Sequence, residues 1–164
     1  MKKALLIIMI AAAIVLPLAA APSLNVSKVT NNGQFGVGLN LGTNLGAAVK
    51  WDTSTWDVYA NIGAGYIGGG GFHFAAEPGA ELKVTEFKIE KAQFDVNAGA
   101  MIPVSVSNTG VSVGFLGTGS VSYEFKDFPL QAYIRIGLGI NMVFADPFVI
   151  GFGYSGAIGG TYMF

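Results

Sequence analysis

The chain of 164 residues contains no cysteine. That absence excludes disulfides, thiolate metal sites, a cysteine nucleophile and lipid anchoring through an N-terminal cysteine. Charge is scarce as well. Asp, Glu, Lys and Arg make up 12% of the residues, against about 25% in ordinary soluble domains. The formal net charge of −1 gives no electrostatic reason to expect a nucleic-acid partner. Histidine occurs once, at His73, so no histidine cluster with zinc-ligand spacing can form. Beyond the amino-terminal region there is no uninterrupted apolar run of about 18 residues, the length a helix needs to cross a membrane. What the chain has in excess is glycine, 24 residues, and apolar side chains, 52% of the total. So apolar a chain without a spanning helix points to β-structure, either a membrane barrel or a soluble β-protein.

Lys2 and Lys3 precede an apolar run over residues 4–16, and Pro17 and the small residues Ala19, Ala20 and Ala21 follow. A basic, then apolar, then small-residue order is that of a cleavable export signal. The apolar run is too short for the roughly 20 residues of a spanning helix. Residues 1–21 are therefore expected to be a Sec signal peptide, with the mature chain beginning between Ala20 and Leu24. Residues 22–32 read as a short polar lead-in that ends at the turn signal Asn31-Asn32-Gly33.

From Phe35 onward the sequence alternates. Phe35, Val37, Leu39 and Leu41 share one face, and Gly36, Gly38, Asn40 and Gly42 share the other. A period of two is that of a strand with two different faces. The alternation recurs in segments starting near Leu45, Trp56, Phe72, Phe94, Val111, Leu130 and Phe148, separated by short turn signals. A slip of phase near Thr85-Glu86 predicts a β-bulge. The turn chemistry of Gly42-Thr43-Asn44 favours a hairpin there and gives eight strands. If residues 35–51 formed one strand instead, residues 24–30 would have to supply the eighth.

Side-chain volume decides which face points inward. The interior of an eight-stranded barrel is just wide enough to be filled by side chains. The face rich in Gly, Ala, Ser, Thr and Asn fits inside, and the face rich in Leu, Ile, Val, Phe, Tyr and Trp does not. The apolar face is thus expected to point outward, which only lipid tolerates, with a soluble lipocalin-like barrel as the alternative. Trp51, Trp56, Phe125 and Phe128 flank the turns that share a side with the carboxyl terminus, as an interfacial aromatic girdle would.

The few charges on the small-residue face include Lys50, Asp57, Glu77, Glu81, Lys83 and Arg135. Buried charges need partners. A register count from the turns sets Lys50 opposite Asp57, Asp57 near Lys83, and Arg135 opposite Glu81 or Glu77. Such a cluster is either a structural plug of salt bridges or a gate for a narrow pore. Gly63, Gly65 and Gly68 match the spacing of a dinucleotide-binding loop, but no helix pattern follows them, as that motif requires. No positioned nucleophile and base can be argued, so no enzymatic activity, no metal and no cofactor are expected.

The chain resembles the small eight-stranded bacterial outer-membrane barrels of the OmpA membrane-domain and OmpX type. The resemblance covers residues 33–164 and rests on the alternation, the girdles, the short turns and the final Tyr162-Met163-Phe164. It implies an all-β, eight-stranded antiparallel up-and-down transmembrane β-barrel. It also implies residence in outer-membrane lipid, delivery by periplasmic chaperones, and insertion by the barrel-assembly machinery, with Tyr162 and Phe164 as the assembly signal. A monomer is expected. The short loops depart from the long extracellular loops usual in such barrels and argue against adhesin or receptor roles, because recognition normally lives on loops.

Overall fold

The period-two segments form strands throughout the region that the structure, a computed structural model, describes: residues 33–53, 55–67, 71–90 and 92–164. The expected signal peptide, the lead-in and residues 24–30 lie outside the described residues. The strands are β1 (Gln34–Gly42), β2 (Leu45–Asp52), β3 (Trp56–Ile67), β4 (Gly71–Ile89), β5 (Ala92–Met101), β6 (Val104–Ser107), β7 (Gly110–Glu124), β8 (Leu130–Phe144) and β9 (Val149–Met163). All pairings are antiparallel, and neighbours in sequence pair with one another except β5 and β6. β9 pairs back onto β1, so the sheet closes in a ring compatible with a β-barrel. The backbone N–H of Phe164 completes that seam by donating to the carbonyl of Phe35 at 2.7 Å.

The residues between Gly42 and Leu45 form a hairpin, not part of a longer strand. The expected count of eight strands becomes nine, because the segment from Phe94 to Val106 is interrupted at Ile102 and Pro103. Proline has no N–H to give to a ladder. β5 and β6 nonetheless run end to end in one register between β4 and β7. Ile102 N donates to Pro78 O (2.9 Å) and Gly114 N to Pro103 O (2.8 Å), which bridges the break. Nine strands therefore occupy eight places around the ring. The bulge falls between Lys83 and Thr85, one residue before its expected position.

The register also gives the stagger of the ring. Partners can be followed from Gly160 through Leu39, Ala47, Ile62, Ala76, Val104, Val113 and Met142 to Ile150. The path returns to β9 ten residues from its start (160 to 150). A stagger slightly larger than the number of places tilts strands by roughly 35–45° and leaves an interior that side chains can fill.

Burial is inverted relative to a water-soluble domain. The buried hydrophobic cluster consists of Tyr59, Met101 and Leu116. Leu39, Ile62, Phe74, Ile134, Ile136, Leu138, Phe152 and Ile158 are exposed, whereas Asn40, Asn61, Glu77, Glu81, Arg135 and Thr161 are buried. Aromatic side chains ring the end that carries the carboxyl terminus. Phe87 stacks on Phe94, Phe94 meets Tyr123, and Tyr123 meets Phe125. Further round, Phe128 meets Tyr162 and Tyr162 meets Phe164. Trp51 and Trp56 are exposed at the same end, next to the turn in which Thr53 Oγ1 bonds the Trp56 backbone.

Candidate functional site

The polar interior is the only place where the chain concentrates chemistry among the described residues, and it is built in three tiers. The tier nearest the carboxyl terminus centres on Lys50, 5% exposed on β2. Its Nζ donates to Asp57 Oδ2 at 2.8 Å, to Gln131 Oε1 at 2.5 Å, and pairs with Asp52 at 3.3 Å. Gln131 Nε2 returns a bond to Asp52 Oδ2 at 3.1 Å. One cation thus links β2 and β3 to β8 on the far side of the ring.

The middle tier joins β8 to β3 and β4. Arg135 Nε donates to Glu81 Oε1 at 2.9 Å and Nη2 to Oε2 at 3.4 Å. Ser120 Oγ adds a bond to Glu81 Oε2 at 2.7 Å. The guanidinium lies 3.4 Å from the centre of the Tyr59 ring and 4.8 Å from that of Tyr133, a double cation–π contact at a buried site. The tyrosine rings can reach this position because each lies across a glycine directly opposite in the register, Tyr59 over Gly79 and Tyr133 over Gly159. A Cβ at either glycine would enter the ring above it. Tyr133 Oη continues to Asn40 Oδ1 at 3.0 Å.

This glycine dependence is testable. Gly79→Ala is expected to cost about 1–3 kcal/mol in urea unfolding, the usual cost of overpacking. The cost should largely vanish in a Tyr59→Ala background, since the ring is what the methyl group meets. An equal cost in both backgrounds would show that Gly79 serves the backbone rather than the tyrosine.

The third tier surrounds Glu77, 2% exposed on β4. Asn44 Nδ2 (2.6 Å) and Ser155 Oγ (3.2 Å) donate to its Oε1, and Asn61 Nδ2 (3.3 Å) to its Oε2. Asn44 Oδ1 lies 2.8 Å from His73 Nε2. A cavity of about 710 Å³ opens above this tier.

Of the six charges singled out in the sequence, five lie in these tiers: Lys50 with Asp57, Arg135 with Glu81, and Glu77 among amides and hydroxyls. Arg135 takes Glu81 and not Glu77. Lys83 is corrected. It pairs with Asp95 (2.7 Å) and Glu86 (3.2 Å) instead of Asp57, and its side chain is 36% exposed. The cause is register: β3 starts at Trp56 opposite Leu82, so Lys83 lies past the rim of the ring on the protruding β4–β5 hairpin. His73 is buried at the third tier, and no metal-capable cluster of three occurs among the described residues. Tyr59, Tyr133, Asn44 and Gln131 were not singled out in the sequence. Part of the signal for the tyrosines was there, two bulky residues on the small-residue face; the glycine opposite each appears only with the register.

No protein-family model, no curated protein and no solved structure matches the chain.

Proposed function

We propose that the chain is an integral β-barrel of the bacterial outer membrane, with the eight-stranded up-and-down plan of the OmpA membrane-domain and OmpX type. Its role is structural, in envelope integrity, with a lumen closed by salt bridges. The observation that carries this reading is the inverted burial: a continuous exposed apolar belt around an interior of paired charges and amides. Water does not tolerate such a belt, and lipid does. A sheet whose last strand pairs back onto its first also satisfies most of its backbone internally, as a bilayer demands. The exposed Trp51, Trp56, Phe125 and Phe128 act as the interfacial girdle. Tyr162 and Phe164 form the assembly signal read after export through a signal peptide at residues 1–21 and delivery by periplasmic chaperones. The barrel works as a monomer in outer-membrane lipid, without cofactor and without a catalytic step.

Reach across the ring supports the closed lumen. Arg135 and Tyr59 come from diametrically opposite places in the ring, as do Ser155 and Glu77, and in each case the two side chains touch. Single-channel recording on the refolded mature chain in planar bilayers is expected to give a silent trace. Discrete openings would overturn the closed reading in favour of a narrow pore or a conduit for small or hydrophobic solutes. The cavity of about 710 Å³ above Glu77 is the feature that favours that second reading.

A further inference from the structure

The wall of the ring is uneven at the end away from the carboxyl terminus. β9 pairs with β1 only from Met163 to Ala157, and Thr43 N caps the seam on Gly156 O at 2.9 Å. β2 meets β3 only from Leu45 opposite Ala64 onward. Residues 149–155 of β9 therefore pair with β8 alone, and residues 65–67 of β3 pair with β4 alone. Between these two edges lies a notch whose floor is the hairpin at Thr43 and Asn44. Gly156 O points into the notch side, so the two-residue alternation puts the backbone N–H and C=O of Tyr154, Phe152 and Ile150 on the same free edge. At membrane depth such groups are tolerated only where they are buried in protein or line a water-filled cavity.

The cavity meets that requirement. It is lined by the inward-facing His73, Glu77, Ser105 and Asn141 together with the exposed, outward-facing Leu45 and Phe152. The cavity thus reaches the edge of the notch at Leu45 and Phe152. Its chemistry is one-sided. Among the described residues Glu77 has no cationic partner, and its three donors leave one of about four lone-pair sites free. A carboxylate only accepts, so Asn44 must turn its NH₂ to Glu77 and its oxygen to His73. His73 Nε2 then carries the proton, and the buried Nδ1, which has no partner, is left as an acceptor.

We propose that the notch and cavity bind an amphiphile with a primary ammonium head and a single alkyl tail, entering sideways from the lipid. The head gives its N–H donors to the free acceptor site of Glu77 and to the free carbonyls of β9, beside His73. The tail leaves past Leu45 and Phe152 into the bilayer. This site rests on the membrane reading above.

His73 is the single histidine, which makes its ring a unique probe. The refolded mature chain in non-ionic detergent would be titrated with dodecylammonium while the imidazole resonances are followed by NMR. A saturable shift is expected. Dodecanoate, of opposite charge, and dodecyltrimethylammonium, which has no N–H, are expected to bind at least tenfold more weakly, as is butylammonium. Glu77→Gln should weaken dodecylammonium at least tenfold. Phe152→Ala, at an exposed position that leaves the interior intact, should weaken it about threefold. An equal response to all three long-chain amphiphiles overturns the proposal, and so does undiminished binding to both variants. Butylammonium binding as tightly as dodecylammonium overturns the lateral route, leaving a cation site open to water. A chain that does not refold in detergent to β-structure with heat-modifiable migration refutes the membrane reading itself, and the site with it. A refolded chain that ignores every ammonium refutes the site alone.

Discussion

Arg135→Ala is expected to destabilise the folded chain by about 3–5 kcal/mol, the cost of leaving a buried charge without its partner. Glu81 is 1% exposed, and Arg135 is its one cation among the described residues. Ser120 Oγ would remain as a donor, which is too little to hold an ionised carboxylate in that environment. Tyr59 and Tyr133 would also lose the cation stacked between them. Urea unfolding in lipid vesicles measures the loss, and a change below about 1 kcal/mol would remove the pair from any structural role. The double replacement Arg135→Met with Glu81→Met separates the pair's cost from its worth. Removing both charges together is expected to fall within about 2 kcal/mol of the parent, because matched apolar groups often substitute for a buried ion pair without loss. Single-channel recording extends the test. A silent parent and a leaky Arg135→Ala assign the arginine to lumen closure, whereas silence in both leaves Tyr59, Tyr133 and the Lys50 tier sufficient to close it.

The parts of this arrangement legible in the sequence are those governed by period two. Alternation marks each strand, and volume puts the small-residue face inward. Counting from the turn signals at residues 52–55 and 68–71 brings Lys50 to Asp57 and Arg135 to the height of Glu81 or Glu77. Counting fails where the register does something local. The bulge between Lys83 and Thr85 and the overhang of β4 past Leu82 carry Lys83 out of the interior toward Asp95. Pro103 breaks a strand that apolar alternation alone reads as continuous, because alternation reports side-chain direction and says nothing of a missing N–H.

Neutral partners are harder to foresee than charged ones. Glu77 is held by Asn44, Asn61 and Ser155, and amides and hydroxyls are too common on an inward face to single out by type. The notch is harder still. It is a difference in height between the β1–β2 hairpin and its neighbours, so it exists only once the stagger of the whole ring is known. The tyrosine–glycine pairs fall between these cases: Tyr59 with Gly79 and Tyr133 with Gly159 are visible as soon as the register is fixed, and invisible before.

Ile136→Arg tests the other face of the same strand. Ile136 follows Arg135 directly, but its side chain is 60% exposed while Arg135 is 5% exposed. It lies near the middle of β8, between Gly119 on β7 and Gly156 on β9. In a bilayer this height is close to the midplane, where an arginine on the lipid face costs about 2–4 kcal/mol. Trp56→Arg, at the aromatic rim, is expected to cost only about 0–1 kcal/mol, since interfacial positions let the guanidinium reach water. In a water-soluble barrel the order would not hold. An exposed isoleucine replaced by arginine would change stability by no more than about 0.5 kcal/mol, and solubility would rise. Urea titrations of the two variants in lipid vesicles therefore decide between solvents for the apolar belt. A depth-dependent penalty, large at residue 136 and small at residue 56, requires lipid around the ring. Equal and small penalties would require water there, and the reading of this chain as a membrane barrel would fail on that result.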